Sequence, residues 1–141
     1  MKPLSIGTFL FMVISFAPST LASSSSLYNA LGEKDGIARI VAHTLDLSFT
    51  DARTQKQFIH TKKGRLIGLI TDQICALSGG PCTYKGLSMK KGHIKLGITE
   101  REFNALVEQL QTAMDKENIP YHIQNKLLAI LAPMKKDIVE H

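Results

Sequence analysis

Apolar side chains recur at helical spacing along most of the chain beyond residue 26. Short polar breaks and one long glycine-rich stretch separate the apolar segments. None of them alternates apolar with polar residues as a half-buried strand does. The pattern therefore predicts an all-α fold in which two pairs of helices are joined through a long, structured loop.

The first helix pair is predicted from the first half of the chain. A short apolar piece at 27–31 precedes the first long helix, which Asp35 is expected to cap. A short turn of helix follows over 51–58, with Thr50 or Asp51 as its cap. These breaks are short enough for neighbouring helices to pack against each other.

The second member of this pair is a longer helix predicted over 61–77. Gly79 and Gly80 follow it directly, which is typical of a helix C-terminus. Its inner stripe comprises Leu66, Leu69, Ile70, Gln73, Ile74 and Leu77.

The second helix pair begins with a capping box, in which the Thr99 hydroxyl and the Glu102 carboxylate satisfy the first backbone donors. Pro120 is expected to open the final helix, and Pro133 is expected to kink it. The two apolar stripes comprise Phe103, Leu106, Val107, Leu110, Ala113 and Met114, and then Ile123, Leu127, Leu128, Ile130, Leu131, Met134 and Ile138.

The stretch 79–99 lies between the two pairs and holds five glycines and a proline, so it cannot form a long helix. A mobile linker would be polar throughout, whereas this stretch keeps several apolar side chains and a lone histidine, His93, between lysines and glycines. It is therefore expected to pack against an apolar surface. Its apolar members are Tyr84, Leu87, Met89, Ile94, Leu96 and Ile98.

The composition fits one globular domain, with 44% hydrophobic and 21% charged residues in a chain of 141. The formal net charge is +5. Its clusters lie at 62–65, 90–91 and 135–136. Nucleic-acid binding is disfavoured because the basic residues are scattered and few aromatic residues lie among them. A solvated face, or pairing with an anionic ligand, fits the pattern better.

Residues 1–22 are typical of a signal peptide, with Lys2 before an apolar run and Ala22 at a small-residue cleavage site. The apolar run is about 13 residues long, short of the roughly 20 needed to span a bilayer, although uncleaved anchoring stays a minor alternative. Residues 23–26 then form a flexible start. The mature domain, 27–141, is expected to be exported to the bacterial periplasm and to have no membrane association after cleavage.

Export would expose Cys75 and Cys82, which flank a glycine-proline turn, to an oxidising compartment. In an oxidising compartment a disulfide between them is plausible, and two buried free thiols are the alternative. The chain has no Cys-x-x-Cys-His sequence, which excludes covalent c-type haem attachment, and no zinc-finger spacing.

Several landmarks together resemble the truncated haemoglobins of the first group, in a bacterial exported branch. They are Leu31-Gly32, Phe58, Asp72-Gln73-Ile74-Cys75, Gly79-Gly80-Pro81-Cys82, Tyr84-x-Gly86, Met89, His93, Gly97-Ile98-Thr99 and Leu131-Ala132-Pro133-Met134. The resemblance covers 27–139 without a gap. It implies a two-over-two helical sandwich with a long glycine-rich loop before a very short proximal helix, enclosing non-covalent haem b.

The resemblance also implies roles for individual residues. His93 matches the proximal histidine, which ligates the iron through Nε2, and Tyr84 matches the tyrosine that fixes the glycine-rich loop. The other positions expected to contact haem are Phe58, Leu66, Ile70, Met89 and Phe103. The remaining histidines match no ligand position, although His60 could swing in as a sixth ligand.

Two departures from the family pattern are present. The first corner keeps one glycine, as Gly32-Glu33. On the distal side, Leu45 and Ile70 stand where many members place a tyrosine and a glutamine that donate hydrogen bonds to dioxygen. The expected distal pocket comprises Thr44, Leu45, Leu66, Ile70, Gln73 and Ile74, in which Gln73 and Thr44 are the polar candidates.

The expected function is reversible binding of dioxygen, nitric oxide and carbon monoxide at a histidine-ligated iron, with an electron donor that the sequence does not identify. The expected state is a monomer or a weak dimer. One alternative is an enzyme, either a nitric oxide dioxygenase or a weak peroxidase. The chain lacks a reductase domain, however, and its apolar distal side lacks an acid–base group. A haem-free exported helical binding module is the alternative from another class.

Overall fold

The computed structural model describes residues 26–140, so the predicted signal peptide, 1–22, lies outside the described residues. Within the described range every regular element is helical, as predicted. The α-helices are α1 (Leu27–Ala30), α2 (Glu33–Ser48), α3 (Lys63–Leu77), α4 (Met89–His93), α5 (Glu100–Lys116), α6 (Tyr121–Leu131) and α7 (Lys135–Ile138). Short 3₁₀ helices cover Gln55–Phe58 and Ala132–Met134. No helix of 26–140 is long and apolar enough to cross a membrane.

Helix α2 is the centre of the fold, because it packs against both α3 and α5. Its apolar face is almost completely shielded from solvent, and α3, α5 and α6 supply the facing side chains. This core comprises Leu31, Ile37, Ile40, Val41, Leu45, Ile74, Cys75, Ala113, Met114, Ile123 and Leu127. Outside the core, α7 packs against α4. The two consecutive pairs, α2 with α3 and α5 with α6, are joined through the stretch 79–99.

The prediction that Asp35 caps α2 is wrong, because the helix starts three residues earlier, with Gly32 at the N-cap position. Gly32 has a φ of 82° and Glu33 a φ of 58°, so two successive residues in the left-handed region turn the chain sharply. Gly36 then lies directly beneath the Leu31 carbonyl, where an added Cβ would be 2.3 Å from the oxygen. The corner therefore keeps its shape although Glu33 replaces its second glycine.

The turn after α2 also differs from the prediction. Its 3₁₀ helix begins only at Gln55 and has no side-chain cap, whereas the Asp51 carboxylate accepts a hydrogen bond from the Arg53 backbone at 2.8 Å. Buried Gln109 of α5 explains this arrangement. Its amide nitrogen donates to Asp51 at 3.0 Å and to the Thr54 hydroxyl at 3.2 Å, and its oxygen accepts from Ser48 at 2.6 Å. The turn is thereby fixed to α5.

Helix α3 starts at Lys63, two residues later than predicted, and ends at Leu77 as predicted. Leu77 is exposed, contrary to its assignment to the inner stripe, whereas Thr71 and Cys75 are buried. The buried face of α3 is the one that packs against α2, and that face includes Thr71 and Cys75 but not Leu77. Cys75 and Cys82 form a disulfide, which confirms the first of the two alternatives.

The predicted starts of the two helices in the second pair are confirmed. The Thr99 hydroxyl accepts from the Glu102 backbone, and the Glu102 carboxylate accepts from the Thr99 backbone at 2.8 Å, which completes the capping box. Pro120 directly precedes α6. Pro133 does more than kink the last helix, because the α-helix ends at Leu131 and a 3₁₀ turn intervenes before α7.

Candidate functional site

His93 is the last residue of α4, a helix of one and a half turns. The Ser88 hydroxyl caps its start by accepting a hydrogen bond from the Lys91 backbone. The Nδ1 atom of His93 lies 2.7 Å from the Met89 carbonyl oxygen, one turn earlier. A proton on Nδ1 donates to that oxygen and leaves the lone pair on Nε2, which is the arrangement found in histidines that ligate metals.

The chain before α4 is held in place by close contacts of its glycines. The Tyr84 hydroxyl donates to the Leu87 carbonyl at 2.7 Å, and Gly86 fits beneath the Tyr84 ring, where a Cβ would be 2.3 Å from the hydroxyl oxygen. A Cβ on Gly80 would clash with Tyr28 at 2.5 Å. Together with the disulfide, these contacts fix the path of the loop and the position of α4 at its end.

Helix α4 faces α3 through Met89. The Met89 sulfur accepts a hydrogen bond from the Gln73 side-chain amide at 3.6 Å. Gln73 shares one face of α3 with Leu66 and Ile70, at the spacing of helical neighbours, and all three side chains are half-buried. The structure therefore brings the apolar face of α3 and the histidine-bearing helix to the same side of the core.

The predicted distal residues fall into two groups. Leu66, Ile70 and Gln73 lie on the half-buried face of α3, whereas Leu45 and Ile74 are fully buried between α2 and α3. The Thr44 hydroxyl, which was the other polar candidate, donates to the Ile40 carbonyl at 2.8 Å. It is thus engaged by its own helix.

Phe58 and Phe103 lie on separate elements, the 3₁₀ turn after α2 and the start of α5. The ring of Phe58 stacks on Phe49, with the ring centroids 5.0 Å apart, and both line a cavity of about 330 Å³ at the turn before α3. Phe103 is half-buried on α5, and the Lys135 ammonium lies 5.9 Å from its ring. The apolar side chains thus come from the turn after α2 and from α3, α4 and α5.

Glu102 connects two of these elements in a way that the sequence did not indicate. Its carboxylate accepts from Gln57, in the 3₁₀ turn, at 2.9 Å and pairs with Lys56 at 3.0 Å. Burial raises the pKa of this carboxyl, but the hydrogen bonds from Thr99, Gln57 and Lys56 outweigh burial and lower its pKa to about 2. The ionised carboxylate therefore holds the turn that carries Phe58 against the start of α5.

The other histidines of the described chain do not share this environment. His60 is exposed in the turn before α3, and His122 is exposed on α6. His43 of α2 is engaged by Glu117, at 3.2 Å, and by Lys116. Among 26–140 there is no group of three or more His, Cys, Asp or Glu side chains that could hold a metal ion. His141 lies outside the described residues.

The residues present fit a flat, apolar prosthetic group with a single axial imidazole. Several elements carry large apolar side chains that are only half-buried, so the protein itself does not cover them completely. These side chains are Phe49, Phe58, Leu66, Ile70, Met89, Phe103, Leu106, Val107 and Leu110. His93 supplies the one nitrogen ligand beside them.

Comparisons with known proteins, by sequence and by structure, both find globins. Residues 26–140 match the family model described as bacterial-like globin. The group 1 truncated haemoglobin GlbN of Mycolicibacterium paratuberculosis is 26% identical over 117 residues, which cover 83% of this chain and 86% of that protein. The crystal structure of truncated haemoglobin from Tetrahymena pyriformis in the Fe(III) form superposes with a TM-score of 0.79 at 22% identity, covering 83% of this chain and all of that one.

Proposed function

The chain belongs to the bacterial-like globin family, and on that premise we propose that it binds haem b non-covalently and holds diatomic gases reversibly at an iron ligated by His93. Family membership supports reversible gas binding by a haem protein. It also confirms the predicted resemblance to group I truncated haemoglobins and their two-over-two helical fold. The proposal adds three points to this: which gases bind, which residues line the pocket and which type of haem is held.

The proposal that the protein binds haem rests on the environment of His93. Its Nδ1 is engaged by the Met89 carbonyl, its ring is half-buried, and α4 faces the apolar side of α3 through Met89. A neutral imidazole with a fixed orientation binds iron without first losing rotational freedom. When bound, the haem supplies the iron at which the gas is held. His93 would hold that iron through Nε2, and the apolar side chains of α3 would line the site of the gas.

The disulfide supports non-covalent attachment of the haem. Both cysteines of the sequence are joined to each other, so neither thiol is available to form a thioether bond. The disulfide also agrees with an oxidising compartment, which supports the proposal that the protein is exported to the periplasm after removal of 1–22.

The distal side supports weak retention of dioxygen. Bound dioxygen carries partial negative charge and is held by hydrogen-bond donors, whereas carbon monoxide and nitric oxide depend on donors less. Leu45 and Ile70 offer no donor, the Thr44 hydroxyl is engaged by its own helix, and the Gln73 amide donates to Met89. We therefore expect fast dioxygen release and comparatively tight binding of carbon monoxide.

Titration of the purified chain with haemin tests the proposal. The expected result is a Soret band that rises to a sharp break at one haem per chain, and a further shift when the reduced protein receives carbon monoxide. Washing with acidified organic solvent should extract the haem, since no covalent bond holds it. A titration without a break, with the spectrum of free haemin throughout, would overturn the proposal.

A further inference from the structure

Three exposed aliphatic side chains flank α4 along the chain. Leu87 is 62% exposed, Ile94 is 61% exposed and Leu96 is 45% exposed, all within ten residues of one another. Ile94 follows His93 directly. His93 therefore lies along the chain between two exposed aliphatic residues, Leu87 and Ile94, while its own side chain is half-buried.

Positive charge surrounds these aliphatic side chains. The stretch 83–99 contains four lysines and no aspartate or glutamate. Two of them, Lys90 and Lys95, line a recess of about 340 Å³ with His93, Ile94 and Lys136 of α7. Asp137 and Glu140 also line the recess, so the lysines are in excess. None of the lysines at 85, 90, 91, 95 or 136 forms an ion pair within the described chain, whereas Lys56, Lys63 and Lys135 do.

Two elements that pack against each other form the recess. Helix α7 packs against α4, and the Glu140 backbone donates to the Ile98 carbonyl at 2.9 Å. Glu140 is thereby held beside the segment that follows His93.

We propose that an acidic electron-carrier protein docks on the face formed by Leu87, Lys90, Ile94, Lys95 and Lys136, hereafter the docking face. An apolar centre with a charged rim is the usual anatomy of a transient protein interface, and the lysines require a partner with carboxylates. The proposal rests on haem binding at His93. It identifies where the unknown electron donor approaches and which sign of charge that donor carries.

The step at this face is a one-electron transfer. The reduced flavin or iron–sulfur centre of the donor loses one electron, the ferric iron gains it, and no bond in either protein forms or breaks. Because His93 lines the same recess as Lys90, Ile94 and Lys95, a donor docked there would lie beside the residue that is proposed to ligate the iron.

Two other occupants fit the docking face less well. A second copy of this chain would bring an equally basic surface against it, and the lysines would repel each other. A membrane surface would accept the lysines, but interfacial anchoring favours exposed aromatic side chains, and the aromatic residue of this stretch, Tyr84, is half-buried and bonded to Leu87.

Charge reversal on the docking face tests the proposal. The variant Lys90→Glu/Lys136→Glu changes two elements of the face, and Arg101→Glu/Lys126→Glu changes the net charge equally at exposed positions of α5 and α6. The probe is a plant-type [2Fe–2S] ferredoxin, chosen for its acidic surface. Its dissociation constant is measured by NMR titration of the carbon-monoxide form, and its rate of reducing the ferric form is followed by stopped flow.

The expected result is binding about tenfold weaker, and reduction about tenfold slower at low salt, for the docking-face variant only. High salt should abolish the difference, because the Debye length falls to about 3 Å at 1 M. Equal dissociation constants in the three haem-loaded proteins, or no binding to the wild type, would overturn the proposal.

Two controls separate the possible causes of failure. The haem spectrum is recorded on every sample, and absence of a haem band from all three proteins would remove the proposed function and this inference together. Co-sedimentation with phosphatidylglycerol vesicles that is lost in the docking-face variant, with equal ferredoxin binding in all three proteins, would assign the face to a membrane and overturn the protein partner.

Discussion

Ile70 is the side chain on which the proposed gas selectivity depends most. It lies on the half-buried face of α3, between Leu66 and Gln73, where it offers no hydrogen bond to a bound ligand. Gln73 is the nearest polar side chain on that face, and its amide is directed to Met89. Dioxygen should therefore be held by the iron alone, with little help from the protein.

Replacing Ile70 with glutamine should add the missing donor. A hydrogen bond to a charged acceptor contributes about 1.5–3 kcal/mol, so dioxygen release should slow by roughly 10- to 100-fold. Ile70→Met, which is similar in volume but has no donor, is the control for altered packing. Dioxygen and carbon monoxide dissociation rates are measured for both variants. Identical dioxygen rates in the two would mean that residue 70 does not face the gas.

Gly86 is required by the Tyr84 ring above it. A Cβ at this position would lie 2.3 Å from the Tyr84 hydroxyl oxygen, so Gly86→Ala should displace the ring and break its bond to Leu87. We expect the free energy of unfolding in urea to fall by about 1–3 kcal/mol. Gly68→Ala is the matched control, since nothing lies within 4 Å of its added Cβ. It should stabilise α3 by about 0.5–1 kcal/mol. Equal losses in both variants would contradict the role given to Tyr84.

The start of α5 is a structural junction that depends on the ionisation of Glu102. The pKa of its carboxyl is about 2 in the folded protein, against a usual value of 4.5. Because the folded value is the lower one, the carboxylate stabilises the fold above about pH 4.5, and this contribution is lost as the pH falls towards 2. The loss should be roughly 3 kcal/mol.

Urea unfolding measured across this pH range tests the junction. Glu102→Gln should flatten the acid limb of the stability profile, because the variant has no carboxylate to protonate. Glu33→Gln, which removes an exposed carboxylate at the start of α2, should leave the limb as steep as in the wild type. An unchanged slope in Glu102→Gln would show that the stabilising charge is elsewhere.

The disulfide joins the end of α3 to the glycine-rich loop and closes a short ring of chain. The chain-entropy model assigns such a ring about 2–3 kcal/mol. Dithiothreitol should therefore lower the urea midpoint of the wild type, whereas Cys75→Ala/Cys82→Ala should unfold at the same midpoint with and without it. A wild-type midpoint that stays constant after thiol titration shows full reduction would contradict the expected stabilisation.

Much of the whole fold follows from local sequence signals. The capping box at Thr99, Pro120 before the last long helix and the glycine pair after Leu77 locate helix ends, because each acts through the backbone next to it. His93 and the loop around it were indicated by a run of motifs. The signal-peptide interpretation of 1–22 stays a prediction.

What the sequence did not indicate depends on tertiary packing. The start of α2 is set by the contact between Gly36 and the Leu31 carbonyl, and not by the capping side chain Asp35. The turn after α2 follows buried Gln109, which is distant in sequence. Leu77 is exposed and Cys75 is buried because of the way α3 is rotated about its axis against α2. Helical spacing alone does not determine this rotation.

Ligation of the iron by His93 is the central claim, and rescue by free imidazole tests it most directly. Ferrous His93→Gly should lose the iron–histidine stretch in resonance Raman and bind haem weakly. Added imidazole should restore an iron–imidazole stretch and raise the affinity for haem. His60→Gly, an exposed histidine in the turn before α3, is the control and should behave as the wild type. Retention of the wild-type iron–histidine stretch by His93→Gly without imidazole would contradict ligation of the iron by His93.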